Sequence, residues 1–202
     1  MALICYLDAF SGISGDMLVG ALADAGADQA AIIEAVGALE IEATLSFERV
    51  KRCGIAATKF HVATVETRRH RHLSHILKIL EKAPLPAPVQ QHAAAIFQRL
   101  GEVEAAVHQV PVEKVHFHEV GAADSIADIV GACMGLHLLD VQAVAASPIN
   151  VGSGTVNTEH GVLPVPAPAT AALLAGKPVY VRGPACELTT PSNVTLPRST
   201  TM

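Results

Sequence analysis

Two short clusters of histidine contain the side chains of this sequence that are best suited to bind a transition metal. The first cluster comprises His70, His72 and His75, and the second comprises His116 and His118 followed by Glu119. In an extended chain His116 and His118 point to the same side, so two imidazoles can hold one ion, whereas Glu119 faces away unless a turn begins there. The alternatives are buried, hydrogen-bonded histidines in the second cluster and an exposed basic loop in the first. The spacing therefore predicts metal handling, with all six residues as candidate ligands.

Two carboxylates follow the second cluster at a helical spacing. Asp124 and Asp128 stand four residues apart, and Gly131 and Gly135 continue the same face of a predicted helix. Such a face lets a ligand or a neighbouring backbone approach closely, although glycines that serve helix packing are the ordinary alternative. The helix dipole explains an aspartate at the helix start, where Asp124 lies, but it gives no reason for Asp128.

Two glycine-containing loops follow predicted strands and form a second group of candidates. The first loop runs from Asp8 to Asp16 and includes Ser11, Gly12, Ser14 and Gly15, and the second includes Asn150, Gly152, Ser153 and Gly154. A strand, a glycine loop and a helix in succession present backbone N–H groups that can hold a phosphate. The first loop has neither a Walker A nor a Gly-x-Gly-x-x-Gly pattern, and Asp8 and Asp16 repel an anion unless a cation lies between them. On spacing alone we favour the structural alternative, in which Ser14 is a helix N-cap and Asp16 occupies the first turn.

The composition excludes several classes of function. The chain of 202 residues is 50% hydrophobic and 3% aromatic, which indicates one compact body with a core of small aliphatic side chains. A net charge of -5 disfavours nucleic acid as a partner. No charged segment precedes a long apolar stretch at the start of the sequence, and no uninterrupted apolar span approaches membrane thickness, so we expect a cytoplasmic protein. Four cysteines, Cys5, Cys53, Cys133 and Cys186, form no Cys-x-x-Cys pair and are expected to be buried, reduced thiols.

The order of the elements predicts an α/β (mixed α+β) fold with a small layered sheet, packed helices and Gly-rich strand-to-helix loops. Strands are predicted at 3–7, 141–146 and 178–181, with a hairpin over 43–66 that turns at 52–54. Helices are predicted at 17–25, 28–39, 73–82, 89–107 and 122–139, with a short one ending at 175. Residues 161–169 are punctuated by several prolines and precede that short helix.

Four blocks of the sequence together resemble the LarC family of nickel insertion proteins. The blocks are YLDAFSGISGDM at 6–17, HFHEVGAADSI at 116–126, SPINVGSG at 147–154 and HGVLPVPAPAT at 160–170. They occur in the family's order, and the resemblance extends over nearly the whole chain to about Pro191. Several long blocks in order are far more specific than either histidine cluster alone.

The resemblance implies that the protein binds Ni(II) and inserts it into pyridinium-3,5-bisthiocarboxylic acid mononucleotide. The product would be the nickel-pincer cofactor of lactate racemase, with new carbon–nickel and sulfur–nickel bonds. On this reading His70, His72 and His75 deliver nickel, while His116, His118 and the catalytic candidates Asp8, Asp16 and Asp124 lie where transfer occurs. The glycine loops would hold the single phosphate of the mononucleotide. Loss of a proton from the pyridinium carbon requires a base, which the sequence leaves open between a carboxylate and an imidazole.

The family pattern changes after Pro191. Complete family members continue into a further domain, which hydrolyses CTP with Mn(II) or Mg(II), whereas residues 192–202 here read as an atypical polar tail. We therefore predict a nickel-handling domain at 1–191 and do not expect this chain alone to bind CTP. A separate carboxy-terminal domain or chain and a homo-oligomer are both open as partners. Two alternatives to a nickel chelatase of the lyase class also stay open, namely a non-catalytic nickel store or delivery module and a His/Asp divalent-metal phosphohydrolase.

Overall fold

A computed structural model describes residues 2–64, 71–117 and 122–194 of the chain. The helices are α1 (Gly15–Asp24), α2 (Gln29–Gly37), α3 (Leu73–Lys82), α4 (Ala87–His108), α5 (Ala123–Leu138), α6 (Pro168–Leu173) and α7 (Pro191–Val194). The strands are β1 (Leu3–Leu7), β2 (Ala43–Arg52), β3 (Ile55–Thr64), β4 (Arg71–His72), β5 (His116–Phe117), β6 (Val141–Ala146), β7 (Ile149–Asn150), β8 (Thr155–Thr158), β9 (Gly161–Pro164) and β10 (Val179–Tyr180). Helices and small sheets are thus mixed along the chain, which confirms the predicted fold class.

The strands of the described ranges pair two by two. β1 and β6 are parallel, as are β7 and β10, while β2–β3, β4–β5 and β8–β9 are antiparallel. The predicted long hairpin is confirmed, because β2 and β3 pair along their full length and turn at Cys53 and Gly54. Both turn residues have positive φ, of 49° and 82°, as a two-residue hairpin loop requires.

Helix α5 forms the centre of the core and packs against α1, α2 and α4. A Cβ added at Gly131 would lie 3.1 Å from a Val19 methyl, and one added at Gly135 would lie 3.0 Å from Leu22. The glycines therefore let α1 approach α5 closely, so the ordinary alternative of helix packing is correct for them.

The β2–β3 hairpin is joined to α1 through Asp24. Its carboxylate accepts hydrogen bonds from the Thr58 N–H and hydroxyl, each at 2.7 Å, and from Arg49. On the same helix, a Cβ at Gly20 would lie 2.3 Å from the Thr58 carbonyl oxygen, so α1 and β3 are in direct backbone contact. These contacts fix where the β3 side chains that follow Thr58 lie relative to the start of α1.

Residues 186–190, which we call the 186–190 segment, lie between the two glycine loops. Ile13 bridges Thr189 and Gly152 bridges Glu187, with the Ile13 N–H donating to the Leu188 oxygen at 2.9 Å. Gly12 and Gly152 both have φ near +80°, and an added Cβ would lie 1.8 Å from the Leu188 oxygen and 2.0 Å from the Cys186 oxygen respectively. Glycine is required at both positions because another backbone passes there.

One element was not predicted, and one expectation from the sequence is wrong. The β8–β9 hairpin lies over 155–164, where no strand was predicted, and Pro164 ends its ladder opposite Thr155. Among the cysteines, only Cys133 is buried and Cys5 is partly buried, while Cys53 and Cys186 are exposed because they lie in a hairpin turn and a surface segment. All four are free thiols, and burial raises the pKa of Cys133 to about 12.

Within the described ranges, no helix has the length and apolar character needed to cross a membrane.

Asn150 links three segments of the fold. Its amide nitrogen donates to the carbonyl oxygens of Phe10 and Arg182 at 2.9 and 2.8 Å, and its oxygen accepts from the N–H groups of Gly152 and Arg182. The residue is 3% exposed, so an alanine there would remove four hydrogen bonds made from a buried side chain. We expect Asn150→Ala to lower the free energy of unfolding by about 3 kcal/mol in urea titrations.

Asn157→Ala is the matched control, because Asn157 is exposed in β8 and its substitution should change stability by less than about 0.5 kcal/mol. Equal stabilities of the two variants would contradict the structural role of Asn150.

Candidate functional site

A cavity of about 480 Å³ opens between the starts of α1 and α5, strands β3 and β8, and the chain from Glu187 to Ser192. We call it the α1–α5 cavity. Its polar lining residues are Ser14, Asp16, Lys59, His61, Asp124, Ser125, Asp128, Thr158, Glu187, Thr190 and Ser192. Its size is that of pockets that hold small molecules, and its lining combines hydroxyls, carboxylates and a lysine.

The amino-terminal ends of two helices face this cavity. Ser14 is the N-cap residue of α1, as predicted, but its hydroxyl donates to the Asp16 carboxylate at 2.5 Å and makes no capping bond to the helix backbone. At α5, the Ser125 N–H donates to the Asp124 carboxylate at 2.7 Å. Asp16 and Asp124 therefore each occupy the first turn of a helix, where the macrodipole favours a negative charge.

Asp128 lies deeper, on the second turn of α5. A Cβ added at Gly15 would lie 2.3 Å from the Asp128 Cβ, so this aspartate packs directly over the start of α1. The pKa of Asp128 is raised to about 7, chiefly by burial and then by the negative charges of Asp16 and Asp124, while a hydrogen bond from the Asp16 N–H opposes the rise. A carboxyl that titrates near neutral pH inside a cavity is suited to proton transfer.

Asp128 is the residue that sequence reasoning missed as a catalytic candidate. The available signal was its spacing, because the helix dipole accounts for Asp124 but not for a second carboxylate one turn later. What the sequence did not contain was the contact with Gly15, which comes from a distant part of the chain.

The structure places one histidine of the first cluster beside one histidine of the second. Strands β4 and β5 place His72 directly opposite His116, with ring centroids 4.0 Å apart and both side chains exposed. Two imidazoles on facing strand positions can bind the same ion. His70, His118 and Glu119 lie outside the described residues and stay predictions as ligands.

His75 does not share a helix face with His72, because α3 begins at Leu73 and His72 is its N-cap in extended conformation. Instead His75 lines a second cavity, of about 660 Å³, together with Arg71 and Lys82. Among the described residues, no three histidine, cysteine, aspartate or glutamate side chains are grouped closely enough to hold one metal ion. Of the candidate ligands that the structure describes, His72 and His116 are the two that lie side by side.

Few of the predicted phosphate-binding residues line the α1–α5 cavity. Ser14 and Gly15 do so, whereas Ser11, Asn150, Gly152, Ser153 and Gly154 do not. The N–H groups of Gly12, Gly152 and Ser153 already donate to protein oxygens, on Ala9, Asn150 and Cys186 respectively. These loops are thus held by the protein's own backbone, and a phosphate-binding role for them stays a prediction.

Of the three predicted catalytic aspartates, Asp16 and Asp124 line the cavity. Asp8 is exposed just after β1 and is not among the residues that line it. The carboxylates of the cavity, with Glu187, stand opposite Lys59 and His61 of β3. Such a site can hold a molecule that carries charges of both signs.

Comparison with known proteins gives one family. A family model described as "Nickel insertion protein" matches residues 5–201. A pyridinium-3,5-bisthiocarboxylic acid mononucleotide nickel insertion protein of Desulfitobacterium hafniense (strain DSM 10664 / DCB-2) is 48% identical over 192 residues, which cover 95% of this chain and 48% of that protein. No solved structure matches the chain.

Two further relatives are described as putative nickel insertion proteins. That of Thermomicrobium roseum is 45% identical over 197 residues, covering 96% of this chain and 48% of the relative. That of Methanococcoides burtonii is 40% identical over 188 residues, covering 93% of this chain and 47% of the relative. The chain thus spans about half the length of the curated relatives it matches.

Proposed function

The chain belongs to the nickel insertion protein family, and on this premise we propose that it binds Ni(II) and takes part in its insertion into pyridinium-3,5-bisthiocarboxylic acid mononucleotide. Nickel is the cargo of this reaction and the mononucleotide is the acceptor. The product is the nickel-pincer cofactor used by lactate racemase, in which nickel is bonded to a ring carbon and to sulfur.

The observation that carries the proposal is the His72–His116 pair. Imidazole nitrogen is a suitable ligand for Ni(II), and the two rings lie on facing strand positions with centroids 4.0 Å apart. Both histidines are exposed, which suits an ion that must arrive and leave. His70 and His118 each stand two positions from a member of the pair in the sequence, and we propose them as the next ligands.

The α1–α5 cavity is the proposed place for the acceptor. The pyridinium ring carries a positive charge and the thiocarboxylates and phosphate carry negative charges, so the acceptor needs a site of mixed polarity. Lys59 and the hydroxyls of Ser14, Thr190 and Ser192 can bind the anionic groups, while Asp16 and Asp124 favour the cationic ring and the approaching metal ion.

We propose that the CTP-dependent step belongs to the half of the relatives that the chain does not span, and we derive no step through CTP here. The phosphohydrolase alternative stays open.

Nickel binding tests the proposal first. Isothermal titration with Ni(II) should give a dissociation constant at least about tenfold larger for His72→Ala and for His116→Ala than for the unaltered chain. His92→Ala is the control, because His92 is an exposed histidine on α4 away from both clusters. His70→Ala and His118→Ala measure the contribution of the two proposed further ligands. Unchanged nickel affinity in the double variant of His72 and His116 would overturn the proposed site.

Nickel transfer tests the activity. The nickel-loaded chain is mixed with the bisthiocarboxylated mononucleotide, and the absorbance of the pincer complex is followed with and without CTP and the carboxy-terminal half of the Desulfitobacterium hafniense relative. Product formation supports insertion chemistry in these residues. Bound nickel without product under all conditions would identify a nickel store or delivery module instead.

A further inference from the structure

The structural role of Asp128 in the α1–α5 cavity does not require a negative charge. Its carboxylate receives the Asp16 N–H, which is one of the unpaired donors at the start of α1. Because Ser14 makes no side-chain capping bond, Asp128 performs that function from the neighbouring helix. An amide oxygen could accept the same hydrogen bond, so capping alone does not require an acid.

The groups around Asp128 work against its ionisation. Asp16 and Asp124 face it from α1 and α5, and Glu187 lines the same cavity from the 186–190 segment. Lys59 and His61 on β3 are the basic residues among the lining. Burial is the largest cause of its raised pKa, of about 7, followed by the charges of Asp16 and then Asp124. The carboxyl therefore gains and loses a proton near neutral pH, which is the property of an efficient general base.

Asp16 and Asp124 already take part in hydrogen bonds within the protein. Each lies in the first turn of a helix and accepts a short hydrogen bond, from the Ser14 hydroxyl and the Ser125 N–H respectively. Their charges raise the pKa of the third carboxyl, that of Asp128.

We propose that Asp128 accepts the proton that the pyridinium ring carbon loses when that carbon bonds to nickel. This inference rests on the proposed function and names a residue within it. The carbon–hydrogen bond breaks, its electron pair forms the carbon–nickel bond, and the proton passes to a carboxylate oxygen of Asp128. Nickel stays Ni(II) throughout, so the step needs no oxidant or reductant.

The test compares Asp128→Asn, Asp128→Ala and the control Asp140→Asn, whose residue is exposed beyond the end of α5. Asparagine keeps an acceptor for the Asp16 N–H but removes the base, whereas alanine removes both. Nickel affinity is measured first in every variant and should be unchanged, because the His72–His116 pair is untouched. Cofactor formation is then followed by absorbance between pH 5.5 and 8.5, with the partner half and CTP if the unaltered chain needs them.

The unaltered chain should form the cofactor faster as pH rises through about 7. Asp128→Asn should lose about 10²- to 10⁴-fold in rate and show no such rise. Formate should restore part of the rate of Asp128→Ala by supplying a small carboxylate, and a ring-deuterated acceptor should react more slowly with the unaltered chain.

Three results would overturn the inference. They are a rate for Asp128→Asn close to that of the unaltered chain, a pH profile that survives the substitution, or a normal rate in Asp128→Ala without formate. Absence of product from the unaltered chain under all conditions would overturn the proposed function together with this inference. The first three outcomes, in contrast, leave nickel insertion intact and remove only the role of Asp128.

Discussion

At pH 8, Asp128→Asn should be more stable than the unaltered chain, with a free energy of unfolding larger by about 4 kcal/mol, because the substitution removes the cost of a buried negative charge. The pKa of Asp128 rises from 3.8 to about 7 on folding. Each pKa unit corresponds to about 1.4 kcal/mol, and asparagine keeps the hydrogen bond from the Asp16 N–H without ever ionising.

The direction of this stability difference follows from how the free energy of unfolding depends on pH. Between pH 3.8 and about 7 the folded chain holds a proton on Asp128 that the unfolded chain has lost. Stability of the unaltered chain therefore falls as pH rises through this range and levels off above it, while the contribution from position 128 in Asp128→Asn stays constant. Urea unfolding at pH 4, 6 and 8 should show the two proteins converging at the acidic end. A constant difference across this range, or none at pH 8, would contradict the raised pKa.

Gly12→Ala should be severely destabilising, by several kcal/mol more than Gly54→Ala. Both glycines have φ of +82°, so the strain of placing an alanine in that conformation is the same, about 1 kcal/mol. The difference lies in their surroundings, because a Cβ at Gly12 would lie 1.8 Å from the Leu188 carbonyl oxygen and one at Gly54 meets nothing within 4 Å.

Comparison of Gly12→Ala with Gly54→Ala therefore separates the effect of backbone strain on stability from the effect of steric contact. We expect Gly54→Ala to fold with a slightly lower urea midpoint, and Gly12→Ala to lose at least about 3 kcal/mol or to expel the 186–190 segment. Proteolysis near Cys186, followed by mass spectrometry, detects such expulsion. Equal urea midpoints for the two variants would mean that the 186–190 segment does not pass over Gly12 as described.

Local periodicity predicted much of the fold. The bounds of β1, β6 and α3 coincide with the predicted ranges, and the β2–β3 hairpin turns at Cys53 and Gly54 within its predicted turn. These elements are determined by residues close in sequence, through alternation, helical spacing and the turn conformation of glycine. Backbone pairing between residues far apart in the sequence cannot be predicted from local periodicity. The placement of the 186–190 segment between two loops was therefore not predicted.

The candidate site shows the same division. Sequence spacing identified the histidines that we propose as nickel ligands but grouped His72 with His75, whereas the structure pairs His72 with His116 across two strands. The glycine loops predicted phosphate binding, but the backbone of the 186–190 segment passes in contact with Gly12 and Gly152. Glycine is favoured both where another backbone approaches closely and where a phosphate binds, so glycine spacing alone does not distinguish the two.

The bridges from Ile13 to Thr189 and from Gly152 to Glu187 determine when the site can form during synthesis. Helices α1 and α5 and the β2–β3 hairpin are synthesised before Glu187, Thr190 and Ser192, which complete the cavity wall. Contacts that close so long a loop form more slowly than local structure. The acceptor site that we propose can therefore assemble only after residue 192 has been added to the chain.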